Sequence, residues 1–290
     1  MLKIINFLRN RIFKRKASAL NIDENSPKSS FWLSNETAKN YDAATVIPNL
    51  DIILNKIFCD EVEKHINEKS KILDIAAGTG VVSLEFSNRG HDVTATDISL
   101  EMLKRLSLKD SSVKVISGDI YEIKTSEKYQ CIVSRWFVPH LRDWPKLLKH
   151  ISDNFLMENG LLFFDMPEKA HSFKASNMPV RVSSKVTGYD DDPSASNYYF
   201  YASASTDQIK EAAQMANLKF ISRIPHGFFK SNLIFANSIE ENNFKKVRSI
   251  LLSDLSKNPD LDNVVYSFEK YLTPYLNPED VHGSIVIMRK

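Results

Sequence analysis

Ile72-Leu73-Asp74-Ile75-Ala76-Ala77-Gly78-Thr79-Gly80 runs from an apolar strand, through an acidic residue, into a bend of small side chains. Leu73 and Ile75 suit a strand buried on both faces, while Ala76, Ala77, Gly78 and Gly80 leave the backbone uncovered at the bend. A helix expected to start at Val81 would offer its free N–H groups and positive end to whatever lies above. Main-chain amides can therefore approach a nucleotide-like ligand at close range.

Outward from this stretch, strands and helices alternate. Strands are expected at Lys71 to Ile75, Asp92 to Thr96, Val113 to Ser117, Tyr129 to Ser134 and Gly160 to Asp165. Helices are expected at Thr37 to Ala44, Asn49 to Asn67, Val81 to Asn88, Leu100 to Leu106 and Trp144 to Phe155, the last capped by Asp143 with Pro145 in its first turn. This alternation predicts an α/β fold with a parallel sheet covered on both faces. Further on, Ser205-Thr206-Asp207-Gln208 is a capping box ahead of the apolar face Ile209, Ala212, Ala213 and Ala216. Leu218 to Ile224 reads as a sixth strand and Ser284 to Arg289 as a seventh.

With its acidic residue and Gly-x-Gly bend, the chain resembles the class I S-adenosylmethionine-dependent methyltransferases, in their small-molecule, quinone-biosynthesis-like branch. Most members carry a Gly where Ala76 stands, and Ala is a familiar variant. The resemblance covers Phe31 to Pro167 well and the closing strands more loosely. It implies a Rossmann-like, seven-stranded, mostly parallel sheet with helices on both faces, the last strand antiparallel, and S-adenosylmethionine as cofactor. Two inserts decorate that domain, which is expected over residues 31–290: a lid near 167–203 and a helical insert near 238–280. An insert after the fifth strand starts at the strand ends where open parallel sheets bind ligands.

Asp97 ends the second strand, twenty-three positions after Asp74, where a carboxylate can accept both ribose hydroxyls; Ser99 is the better cap for the next helix. Gly118-Asp119-Ile120 ends the third strand. By resemblance, Asp119 accepts from the adenine amino group, Ile120 packs on the ring, and Met102 closes its other face beside Ile98. Ser134 and Trp136 match positions whose backbone holds the methionine end, and Tyr41-Asp42 matches a pair in which the Tyr folds over the cofactor. A nicotinamide dinucleotide would want a third glycine where Ser83 stands, and it leaves Asp74 and Asp119 without a task.

Methyl transfer needs a nucleophile held in line and dry, and a base for its proton. His140, in Arg135-Trp136-Phe137-Val138-Pro139-His140, resembles a His of related enzymes and reads either as that base or as a structural residue. Arg135 reads either as a receptor for an acidic substrate group or as the partner of a lid carboxylate. Asp165 at the cleft edge reads as a residue that orients a substrate, Glu168 and His171 beside it as solvated loop residues, the Asn197–Tyr201 aromatic run as pocket lining or ordinary packing, and His226 as a further cleft candidate. Asp190-Asp191-Asp192 reads as a solvated turn, and no metal site is expected. The acceptor is expected to be a small molecule methylated on O or N, with sugar- and lipid-linked molecules among the candidates. A silent cofactor-binding module is the rival from another class, and an NAD-dependent oxidoreductase a lesser one.

Bulk composition agrees. In 290 residues, 43% hydrophobic and 26% charged, a net charge of +2 argues against a nucleic-acid partner, as does the absence of the Asn/Asp-Pro-Pro-Tyr motif after the fourth strand. Two cysteines, Cys59 and Cys131, imply no disulfide framework and fit a cytoplasmic setting. Met1 to Lys16 sets Leu2, Ile5, Leu8 and Ile12 at helical spacing among six basic residues, ahead of a polar linker over Asn21 to Ser34. That segment reads either as an amphipathic helix on an anionic membrane surface or as a packing helix with solvated charges.

Overall fold

The computed structural model describes residues 33, 35–44, 48–141, 143–167, 180–181, 199–200, 202–229, 254, 257–277 and 280–290. Met1 to Lys16, most of the 167–203 insert (with Glu168, His171 and Asp190 to Asp192) and residues 238–253 lie outside the described residues.

Seven strands make one sheet: β1 (Lys71–Ile75), β2 (Asp92–Asp97), β3 (Lys114–Ser117), β4 (Tyr129–Ser134), β5 (Leu156–Met166), β6 (Lys219–His226) and β7 (Gly283–Arg289). Their order is 3-2-1-4-5-7-6. β1 to β5 are parallel, and β7 runs antiparallel to both neighbours. The carboxyl ends of β1 to β6 and the start of β7 therefore share one rim.

Side chains alternate across the sheet with period two. Leu73, Ile75, Ile132, Leu162, Phe164, Val286 and Met288 join one core with α5 (Trp144–Asn154) and α6 (Thr206–Met215). Ile72, Cys131, Val133, Leu161, Phe163, Ile285 and Ile287 join the other with α2 (Pro48–Glu63), α3 (Val81–Asn88) and α4 (Leu100–Lys109). Covering both faces is what makes the central strands read as unbroken apolar runs. Cys59 and Cys131 are buried free thiols within the second core.

Helix ends largely follow the expected caps. Ser99 accepts from the Met102 N–H, and Ser205 and Gln208 form the reciprocal box. Asn258 caps α7 (Pro259–Tyr271) by accepting from the Asp260 and Leu261 N–H groups. Asp143 holds the N-cap position of α5 without a capping bond; its ψ of 51° leaves the extended cap geometry, and its carboxylate pairs with Lys146 instead. α2 stops at Glu63, four residues before the expected Asn67, because the Lys64 and His65 N–H groups bond three residues back and tighten the chain. β5 starts at Leu156 and not Gly160: Leu156 already pairs with Tyr129, and a bulge at Asn159 (φ 60°) absorbs the turn-like Glu158-Asn159-Gly160. Within the insert after β5, Val180–Arg181 and Tyr199–Phe200 form a two-residue parallel ladder.

Candidate active site

Three residues of the bend after β1 take left-handed backbone: Ala76 at φ 59°, Gly78 at 56° and Gly80 at 88°. A Cβ added at Gly80 would stand 2.2 Å from Leu106 Cδ1, so the glycine lets α4 close on the turn. Neighbouring strand ends anchor the bend. The Ala77 N–H donates to the Thr96 carbonyl at 3.0 Å, and the Gly78 N–H donates to Asp97 Oδ2 at 2.9 Å. Asp97 Oδ1 accepts from the Ser99 N–H at 2.8 Å. Burial raises the Asp97 pKa against the pull of these backbone donors. A carboxylate has about four acceptor positions, so capacity remains for hydroxyl donors from a ligand.

Asp74 sits beneath the bend, 1% exposed, and accepts from the Ser83 hydroxyl at 2.6 Å. Burial, aided by the charge of Asp97, pushes its pKa up to about 7. Ser83 thus has a task of its own where a dinucleotide fold would want glycine: it braces the first turn of α3 against β1.

α1 (Asn35–Ala44) roofs the bend. The Tyr41 ring is the nearest atom group, 3.8 Å away, to a Cβ placed on Gly78. Its phenol is pushed up to about 12 by burial, then by Asp97, Asp51 and Asp42. Asp42 accepts from the Thr79 hydroxyl and pairs with Lys109 at 2.7 Å, while Lys109 also donates to the Thr79 carbonyl at 3.1 Å. Burial works against ionisation of Asp42, but Lys109 and Thr79 hold its pKa below the usual carboxylate value.

At the next strand end, the Gly118 N–H donates to the Asp97 carbonyl at 3.0 Å, placing Asp119 beside the ribose candidate. Asp119 is buried; its Oδ1 accepts from the Tyr121 N–H at 2.9 Å and its carbonyl from Glu122 and Ile123. Ile120 and Met102 are buried and Ile98 is half-buried.

β4 ends against β1, where the Ser134 hydroxyl donates to the Ile75 carbonyl at 3.2 Å. Trp136 has φ 56°, and its N–H donates to Asp165 Oδ2 at 3.3 Å. The amide expected to meet the methionine end is therefore engaged by β5. Among the described residues Arg135 pairs with Asp165, one residue before the end of β5. Its Nε donates to Asn55 at 2.9 Å, and its guanidinium lies 5.1 Å from the Phe58 ring and 4.9 Å from that of Trp136. Asp165 Oδ1 also accepts from His226 Nε2 at 2.8 Å. Burial alone would raise the Asp165 pKa, but Arg135, His226 and the Trp136 amide hold it below the usual value. Trp136 further contacts His226 and His282, with centroids 5.7 and 4.8 Å apart. His140 closes a short 3₁₀ turn, Val138–His140, and is half-buried.

The turn, Asp97, Asp119 and the β4 end thus meet on one rim. The residues present fit the adenosine cofactor that the fold implies: bare backbone, a carboxylate with accepting capacity, apolar walls and a tyrosine roof. Asn55 escaped the sequence reading because α2 showed only as a helical period; His226 was visible as a cleft residue, but its tie to Asp165 depends on β6 lying beyond β7.

A family profile described as a methyltransferase domain matches residues 51–247, more than half of the chain. The chain belongs to the class I S-adenosylmethionine-dependent methyltransferases. Among curated relatives of this methyltransferase, (S)-coclaurine N-methyltransferase of Papaver somniferum is 24% identical over 131 residues, covering 43% of the chain and 36% of that enzyme. Pavine N-methyltransferase of Thalictrum flavum subsp. glaucum is 23% identical over 133 residues, with the same shares. The chain thus spans about a third of the length of these plant relatives. The fold is shared with 1,6-didemethyltoxoflavin-N1-methyltransferase of Burkholderia thailandensis, solved with S-adenosylhomocysteine (TM-score 0.53, 13% identity, 91% of this chain and 88% of that one). It is also shared with coclaurine N-methyltransferase solved with N-methylheliamine and S-adenosylhomocysteine (TM-score 0.53, 17% identity, 85% and 72%).

Proposed function

We propose that this methyltransferase transfers a methyl group from S-adenosylmethionine to a nitrogen of a small-molecule acceptor. The observation that carries the reading is the convergence of the Gly78–Gly80 bend, Asp97 and Asp119 at adjacent strand ends. In this reading Asp97 holds the ribose hydroxyls beside Ile98, and Asp119, Ile120 and Met102 hold the adenine. Ala76, Gly78 and Gly80, with Asp74 bracing from below, carry the backbone past the sugar and the methionine tail. Ser134 and Trp136 border that tail, and Tyr41 closes over it. The bound cofactor supplies a methyl group already activated on a sulfonium. The protein's share is to hold the acceptor nitrogen in line and away from water. His140, at the same rim, is the candidate to take up its proton.

Nitrogen is favoured over oxygen because the plant relatives and the Burkholderia enzyme are named as N-methyltransferases. No helix among the described residues is long and apolar enough to cross a membrane. A lipid- or sugar-linked acceptor would follow from a membrane-seeking Met1–Lys16 segment. Liposome co-sedimentation of the full chain against one lacking its first twenty residues tests that refinement, and equal behaviour removes it.

The central test is calorimetry with S-adenosylmethionine, followed by incubation with the labelled cofactor and a panel of primary and secondary amines and phenols. Binding together with label in an amine is the expected result. Absence of cofactor binding would sink the proposal, and binding without transfer to any acceptor would favour a silent cofactor-binding module.

A further inference from the structure

α1 covers the glycine bend without burying much of itself. Its ten residues supply only alanines and one tyrosine as apolar groups. Among its described side chains only Ala38 is buried, and none joins the apolar cores on the two faces of the sheet. An element with so few buried apolar contacts lies at the low end of local stability. Polar contacts near its C-terminal end tie it to the site. Thr79, buried between Gly78 and Gly80, donates its hydroxyl to Asp42 Oδ1. Lys109, the last residue of α4, pairs with Asp42 Oδ2 at 2.7 Å and donates to the Thr79 carbonyl at 3.1 Å. These three residues close a ring of contacts that spans α1, the bend and α4. One residue before Asp42, the Tyr41 ring lies over Gly78. The Asp42 and Lys109 side chains are 45% and 34% exposed, so dissolved salt reaches their ion pair.

Resting on the cofactor reading above, we propose that Asp42, Thr79 and Lys109 form a latch that holds α1 shut over the bend. Opening of this latch sets how fast S-adenosylmethionine enters and S-adenosylhomocysteine leaves. Every latch group belongs to the protein, so the latch has the same members with or without the cofactor beneath it. Breaking it favours the open state of the free and the bound protein alike, and its free energy cancels from the affinity. Entry and exit therefore quicken together. A residue that touches the cofactor behaves otherwise: its loss speeds exit and weakens binding in step.

Stopped-flow binding of S-adenosylhomocysteine to the full chain tests this. In Asp42→Asn and in Lys109→Met, association and dissociation rates are each expected to rise at least about fivefold, with the dissociation constant within about twofold of wild type. The double variant should add little to either single change, because one break already opens the ring. Raising salt from about 0.05 to 1 M should quicken both rates of the wild type and leave those of the variants nearly flat. A rise in dissociation alone, with affinity falling in step, would make Asp42 or Lys109 a cofactor contact and overturn the latch. Unchanged rates in either variant would overturn it as well. Failure of the wild-type chain to bind S-adenosylhomocysteine would instead overturn the cofactor reading itself.

Discussion

Asp97 Oδ2 accepts the Gly78 N–H at 2.9 Å, so the carboxylate read as the ribose grip also fastens the glycine bend. Removing it strikes twice, at the hydroxyl contacts and at the turn that faces them. Asp97→Ala is expected to weaken S-adenosylhomocysteine binding by more than about tenfold, on the order of 1.5–3 kcal/mol for hydrogen bonds to a charged group. Calorimetry measures this directly. An unchanged dissociation constant would remove Asp97 from the site.

Gly80 joins backbone freedom to close packing. Its φ of 88° disfavours any side chain, and the nearest Leu106 carbon would stand 2.2 Å from an added methyl group. Leu106 is fully buried in the α2–α4 core and cannot swing into solvent. Gly80→Ala should therefore cost about 2–4 kcal/mol of stability, from strain plus overpacking. Urea unfolding measures it; a loss below about 0.5 kcal/mol would mean that the turn and α4 relax freely.

What was legible in the sequence was whatever rests on local pattern. β1 and β4 have the expected bounds because their apolar runs are buried on both faces, and Ser99 and Ser205 cap as their hydroxyls dictate. Asp97 and Asp119 stand at strand ends because the alternation of strand and helix leaves them nowhere else. Two things stayed hidden. The early start of β5 depends on Leu156 finding Tyr129 across a bulge, a tertiary pairing without local sign. The partner of Arg135 depends on sheet order: Asp165 is thirty residues away in sequence yet lies on the adjacent strand.

The buried Asp74 predicts a pH dependence of stability with a definite sign. Its native pKa is about 7 against an ordinary 3.8, so between these values the folded chain keeps a proton that the unfolded chain has released. Unfolding then releases protons, and stability falls as pH rises through this window, levelling off above about 7. Asp74→Asn keeps an oxygen for the Ser83 hydroxyl and removes the titration. The variant's stability relative to wild type should therefore rise from pH 4 to pH 7.5, by at most about 4 kcal/mol for a shift of about three units. Paired urea titrations across that range check it. A difference independent of pH would place the Asp74 pKa near its ordinary value.

Glu269 of α7 tests how the C-terminal helix is held. The residue is 1% exposed, and its carboxylate accepts three backbone N–H groups just beyond β6: Gly227 at 3.0 Å, Phe228 at 3.2 Å and Phe229 at 2.8 Å. Phe268, its neighbour on α7, packs on both phenylalanine rings with centroids 5.1 Å away. Glu269→Ala strands three donors inside this contact and should cost about 3 kcal/mol or more. Glu269→Gln keeps one accepting oxygen but turns an amide NH₂ toward the remaining N–H groups, so a loss of similar size is expected. The ribose and adenine candidates lie at the ends of β2 and β3, across the sheet from β6. S-adenosylhomocysteine affinity measured well below the unfolding midpoint should therefore change little in either variant. A large loss of affinity at intact stability would mean that α7 reaches the cofactor, contrary to the arrangement described.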